Sequence, residues 1–181
     1  GVWLEEGLRA AGVVAAATKY AASEVDHLAG LLDRKSFIQR DREHLQLPGG
    51  HELVVADLDR LRRLNEALGH ERADLVLAAL GSRLAAAFPP GVLLARVGED
   101  EFGVLAPSGE VEAAEVLRAA LERPLRVAGF DIHPTLSIGA VKATGGSEAP
   151  EAAELLRRAE LAVEAAKNGG RGGAAAYGRS L

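Results

Sequence analysis

The chain contains no cysteine. That excludes a disulfide framework and any thiolate-ligated metal centre, and it is compatible with the cytoplasm, the compartment expected here. Aromatic residues make up only 4% of the 181 residues. No apolar run approaches the roughly 20 residues that span a bilayer. The N-terminus lacks a basic stretch leading into an apolar one, so neither a membrane segment nor a signal peptide is expected. Positive charge is also short, with 21 Lys and Arg against 26 Asp and Glu and a net charge of −5. Without a basic stripe interleaved with aromatics, nucleic acid is not an expected partner. An acidic chain can still hold a polyanion such as a nucleotide, provided a metal or a local cluster of cations meets it.

What is present is aliphatic. The hydrophobic fraction is 48%, much of it Ala, Leu and Val, enough for a sizeable core with helices on its surface. The length suits one domain with an appended helix. Residues 1–25 read as one helix, with Trp3, Leu4, Leu8, Ala11, Ala15 and Ala22 recurring at helical spacing. This helix either caps the core or ends a longer linker from an upstream sensor. A second helix, DRKSFIQRDREHL, starts at Asp33 as its N-cap. After the break at Pro48, Leu53 to Ala56 make a buried strand that delivers Asp57 and Asp59 at its C-terminal end.

Two helices follow, RLRRLNEALG ended by Gly69 and ERADLVLAALGSRLAAAF stopped by Pro89 and Pro90. VLLARV and FGVLA read as a hairpin around an acidic tip of Glu99, Asp100 and Glu101. SGEVEAAEVLRAAL is a helix with Ser108 as its expected cap. Strands around a turn, a helix ending in AKNGG and a short edge strand, AAAYG, complete the chain. The order predicts an α+β fold with helices against a largely antiparallel sheet.

Asp57 and the hairpin acids converge at one edge if their strands are neighbours. Mg²⁺ takes octahedral oxygen ligands, typically one or two carboxylates with the rest from water and phosphate. Two such ions can activate a hydroxyl and stabilise phosphoryl charge, so the acids suit metal-dependent phosphoryl or nucleotidyl transfer. Acids at strand ends are also commonly just solvated. Lys167 and Arg171, at i and i+4, can face the same way and meet phosphates. They can equally just offset the helix dipole.

Several segments carry a family resemblance. DHLAGLLDRKSF, DLDRLRRLNEALGHERAD, RVGEDEF, TLSIGA and AELAVEAAKNGGR, in that order, resemble the motifs of the GGDEF domain family, the diguanylate cyclases of bacterial signalling. The resemblance implies a nucleotidyl-cyclase-like (ferredoxin-like or palm-type) α+β domain over 26–181, preceded by a signalling or linker helix over 1–25. It implies Mg²⁺ (or Mn²⁺) on Asp57, Asp100 and the backbone carbonyl of Leu58. Glu101 would support the metals or the attacking 3′-hydroxyl. Asn65 and Asp74 would hydrogen-bond guanine, whose edge suits an amide and a carboxylate. Lys167 and Arg171 would hold the β and γ phosphates of GTP, with Arg62 near them where the family usually has Lys. Two GTP-loaded subunits would face each other in a homodimer and yield cyclic di-GMP and two pyrophosphates. An upstream sensor and a neighbouring phosphodiesterase domain are the partners such domains commonly have.

Two positions depart from the family pattern. Glu99 stands where the signature has its second glycine. If that position is left-handed, a Glu there costs about 1 kcal/mol, and its charge adds to an already anionic site. The expectation is weakened cyclisation; the alternative is a GTP-binding regulatory module without turnover. Pro89 and Val92 stand where many members carry an Arg-x-x-Asp product-binding pair. No inhibitory site is expected there.

Overall fold

The computed structural model describes residues 20–178. The expected N-terminal helix therefore lies outside the described residues over 1–19. Its last residues are not α-helical: Ala22–Glu24 form a 3-10 turn, and Val25 bridges Leu32. Helices α1 (Arg34–Leu45), α2 (Leu61–Leu68), α3 (His70–Ala87), α4 (Ala113–Ala120) and α5 (Ala152–Asn168) surround strands β1 (Gly49–Leu58), β2 (Leu93–Arg96), β3 (Glu101–Pro107), β6 (Leu136–Gly145) and β7 (Ala174–Ala176). These strands form one sheet in the order β2-β3-β1-β6-β7, antiparallel except for the β6–β7 pair. Strands β4 (Leu125–Val127) and β5 (Phe130–Ile132) form a separate two-stranded hairpin.

The sheet is buried on both faces, which explains the unbroken apolar run in β1. Alternation sends Val54 and Ala56 to one side and Leu53 and Val55 to the other. The first side packs with Leu75, Leu80 and Leu84 of α3, Leu117 of α4 and the β4–β5 hairpin. The second packs with Phe37 and Leu45 of α1 and Leu155, Ala159 and Val163 of α5. Asp33 caps α1 as expected, accepting a hydrogen bond from the Ser36 N–H at 2.7 Å. Ser108 does not cap α4, whose N-cap is Glu112 without a side-chain bond. Its N–H instead donates to the Gly50 carbonyl at 3.0 Å, closing the far end of the β1–β3 ladder.

Helix α5 lies unusually close to the sheet. A Cβ added at Gly139 of β6 would sit 2.3 Å from the Ala159 carbonyl oxygen and 2.4 Å from the Val163 nitrogen. The missing side chain lets the helix backbone rest on the strand. The other irregularity is on α1. Asp41 shares its buried face with Phe37 and Leu45 and is 1% exposed. Its Oδ1 has no hydrogen-bond partner among the described residues. Burial pushes its carboxyl up to about 7, because the charged form cannot be solvated there.

Gly139→Ala is expected to lower stability by about 3 kcal/mol or more, since backbone cannot yield as a side chain can. A thermal melt within a degree or two of wild type would contradict this. For Asp41 the folded pKa lies above the unfolded one. The fold is therefore unpenalised when the group is protonated, and the cost grows as pH rises toward 7. Asp41→Leu should raise the melting temperature by several degrees near pH 8 and by much less near pH 5. An equal gain at both would show that packing, not charge burial, is responsible.

Candidate functional site

The site forms where β1 ends and β3 begins. Asp57 pairs with Glu101 across the β1–β3 ladder, so both side chains leave the same face of the sheet, toward α1 and α5. Asp100 precedes Glu101, and its carbonyl accepts from the Leu58 N–H at 2.8 Å. The hairpin thus brings Asp57, Asp100 and Glu101 together, as the adjacent-strand reading required. Lys167, in the last turn of α5, donates to Asp57 Oδ2 at 2.7 Å.

The electrostatics show an excess of negative charge. Burial, then the charge of Asp57, raises the Asp100 carboxyl to about 6. Burial, then Glu160, Asp57 and Asp100, raises Glu101 to about 7 against the lowering effect of Arg34. Burial pulls the Lys167 ammonium down, but its hydrogen bond to Asp57 and the surrounding acids outweigh that and leave it raised. Asp57 Oδ1 is buried and has no hydrogen-bond partner among the described residues. Closely set carboxylates with raised pKa values, an orphaned oxygen and one lysine make a place that a divalent cation would relieve. Among the described residues no three His, Asp or Glu side chains form a ready-made metal cage. The oxygen donors of Asp57, Asp100 and the Leu58 backbone are nevertheless of the kind a hard divalent cation such as Mg²⁺ would take.

The signature turn is held through its backbone. Arg34 donates to the Val97 carbonyl at 3.0 Å and pairs with Glu160 at 3.0 Å. Arg96 donates from Nε to the Glu99 carbonyl at 3.1 Å and pairs with Asp26 at 3.4 Å. Asp26 Oδ1 in turn accepts from the Leu28 and Ala29 N–H groups, fixing the opening DHLAG motif. Glu99 is exposed and its φ is not positive. The expected left-handed strain at Glu99 is therefore absent. The turn needs no glycine there, and what Glu99 adds is a solvent-facing charge.

Other expected site residues fall into two groups. Asn65 on α2 and Asp74 on α3 stand half-buried on neighbouring helices, with no side-chain hydrogen bond to other described residues. Arg62 is not drawn to the carboxylates; it is 92% exposed and pairs with Glu66 at 3.3 Å. Arg171 does not share a helix face with Lys167, because α5 ends at Asn168. It lies in the turn before β7, with its Nη1 3.7 Å from Asp59 Oδ1. Val92 is in the core and Pro89 is exposed.

The sequence placed Asp59 at the end of β1 and TLSIGA among the family motifs, but assigned neither a role in the site. Asp59 accepts from the Thr135 hydroxyl at 2.6 Å and the Ser137 hydroxyl at 2.6 Å. The available signal was a hydroxyl at both the first and third positions of TLSIG, on the strand beside β1. With Arg171, Asp59 borders a groove of about 510 Å³ lined also by Arg60, Arg63 and His133. Arg60 itself has φ 61°, a left-handed conformation between β1 and α2.

Comparison with known proteins agrees with this geometry. A family profile described as diguanylate cyclase, GGDEF domain, matches residues 23–173. An uncharacterized protein of Mycobacterium tuberculosis is 36% identical over 153 residues, 80% of this chain and 24% of that protein. The probable diguanylate cyclase DgcE of Escherichia coli is 33% identical over 170 residues, 87% of this chain and 15% of its own length. The chain thus spans a quarter or less of these relatives. The crystal structure of the GGDEF domain of DgcB from Caulobacter crescentus, in complex with c-di-GMP, superposes with a TM-score of 0.71 at 25% identity, covering 88% of this chain and 96% of that one. Profile, relatives and fold agree, and the chain belongs to the GGDEF family.

Proposed function

We propose that this chain is a Mg²⁺-dependent GTP-binding domain of the diguanylate cyclase type. It would join two GTP into cyclic di-GMP and two pyrophosphates across a homodimer, with turnover lowered by Glu99. The observation that carries the reading is the cluster of buried Asp57 with half-buried Asp100 and Glu101 around an unpaired Asp57 Oδ1. Asp57, Asp100 and the Leu58 carbonyl would hold the metal, Mg²⁺ or Mn²⁺. When bound, it supplies charge neutralisation at the phosphates and a more acidic 3′-hydroxyl. Glu101 keeps the potential negative behind those ligands. Asn65 and Asp74 hydrogen-bond guanine, while Lys167 and Arg171 meet the β and γ phosphates. Lys167 already bridges toward Asp57, so it can turn to phosphate once a cation takes its place. Arg62, on the exposed side of α2, reaches the nucleotide only by leaving Glu66.

Because each subunit carries one nucleotide, cyclisation needs two chains face to face. Glu99 is exposed beside the acids and would present its carboxylate to the second triphosphate. That observation also favours a second reading, in which GTP binding regulates a sensor or phosphodiesterase partner without turnover. Under either reading the domain works in the cytoplasm. The described residues contain no helix long and apolar enough to cross a membrane.

Mg²⁺–GTP is expected to bind measurably by calorimetry, and Asp57→Asn to weaken it by about tenfold or more. Binding should strengthen from about pH 5.5 to 8, as Asp100 and Glu101 lose the protons that keep them from meeting a cation. Equal binding by wild type and Asp57→Asn, flat with pH, would remove the metal role. Glu99→Gly should leave GTP affinity within about twofold and raise cyclic di-GMP formation by about tenfold, read by chromatography. Unchanged turnover in a variant that binds GTP would clear Glu99 of the inhibition assigned to it.

A further inference from the structure

Arg171 is set among four glycines, Gly169, Gly170, Gly172 and Gly173. Gly170 and Gly172 have φ values of 102° and 83°, a conformation open to glycine and little else. A segment of this kind gives its arginine almost no orientation of its own. Lys167 differs, since it projects from the end of a packed helix. Yet the proposed role of Arg171 needs a guanidinium fixed toward a triphosphate.

The fixing group is on the other side of the turn. Asp59 has 2% side-chain exposure, and each of its oxygens is claimed by a separate hydroxyl, Oδ2 by Thr135 and Oδ1 by Ser137. The Asp59 N–H also donates to the Thr135 carbonyl at 3.0 Å, so the backbone is locked as firmly as the side chain. Ser137 is fully buried. The carboxylate therefore cannot rotate away, and its Oδ1 lies 3.7 Å from Arg171 Nη1. An ion pair at this distance to a half-exposed arginine adds little stability. Its effect is on where the guanidinium spends its time, and that lowers the entropy lost when a phosphate is bound.

We propose that Asp59, cradled by Thr135 and Ser137, is a positioning residue that holds Arg171 ready for the terminal phosphates of the nucleotide. This rests on the GTP-binding reading above. It gives the two hydroxyls of the TLSIG strand a role in nucleotide binding beyond joining β1 to β6. It also divides the phosphate cations into two kinds, one placed by a helix and one placed by a buried acid.

The first test needs no nucleotide. In the ligand-free protein, NMR relaxation of the Arg171 Nε–H should show a more ordered side chain than that of Arg62. Asp59→Asn should abolish the difference. The second test compares Mg²⁺–GTP with GMP, which lacks the terminal phosphates. Asp59→Asn should weaken GTP about five- to tenfold and leave GMP within about twofold. In an Arg171→Ala background, Asp59→Asn should cost nothing further, because Asp59 acts only through Arg171. Thr135→Val, which removes the more exposed of the two hydroxyls that hold Asp59, should move GTP the same way by about twofold and guards against a folding defect in Asp59→Asn. Equal losses for GTP and GMP, additive losses in the double variant, or an Arg171 as mobile as Arg62 in wild type would each overturn the proposal. Absence of GTP binding in wild type, with Arg171 ordered by Asp59, would overturn the nucleotide reading and leave the tether standing.

Discussion

The close seating of α5 on β6 at Gly139 is the constraint from which the site follows. Interiors are packed like crystals, so a helix axis is set by the smallest residue beneath it. With no Cβ at Gly139, the helix backbone descends onto the strand and its last turn arrives at the end of β1. Lys167 then meets Asp57 at 2.7 Å. A side chain at Gly139 would lift the helix and withdraw that cation from the acids. The carboxylate cluster would then be left with neither its lysine nor the geometry that a triphosphate would find.

The signature turn is built by a different logic. Its carbonyls at Val97, Glu99 and Asp100 are taken by Arg34, Arg96 and the Leu58 N–H. None of these bonds reads the side chain of Glu99. The arginines are themselves tied to Glu160 and Asp26, so the turn's position is shared between α5, the opening motif and β1. Burial and the neighbouring acids raise Asp100 and Glu101 within that frame. The bonds that hold the turn end on backbone carbonyls and use neither carboxylate.

Much of this was legible in the sequence. The unbroken apolar run of β1, the Asp33 cap, the hairpin around the acids and the proline stop after α3 all follow local rules, and each is where periodicity and turn chemistry put it. The gathering of Asp57, Asp100 and Glu101 needed only that two strands be neighbours. What the sequence did not disclose depends on distance in space. Asp59 looked like one more acid at a strand end, because its value lies in hydroxyls some 76 residues away. Arg171 seemed to continue the helix of Lys167, since spacing alone cannot show that the helix stops at Asn168. Glu99 suggested strain because glycine is usual at that place. Its backbone is in fact ordinary, and only the tertiary bonds to the carbonyls explain why.

The indifference of the turn to its own side chain has an evolutionary consequence. Position 99 can exchange glycine for glutamate, or the reverse, without crossing a barrier of instability. A lineage can therefore vary the charge shown at this turn while the scaffold stays constant. Surface charge and architecture are set by different atoms at this turn, the one by a side chain and the other by carbonyls.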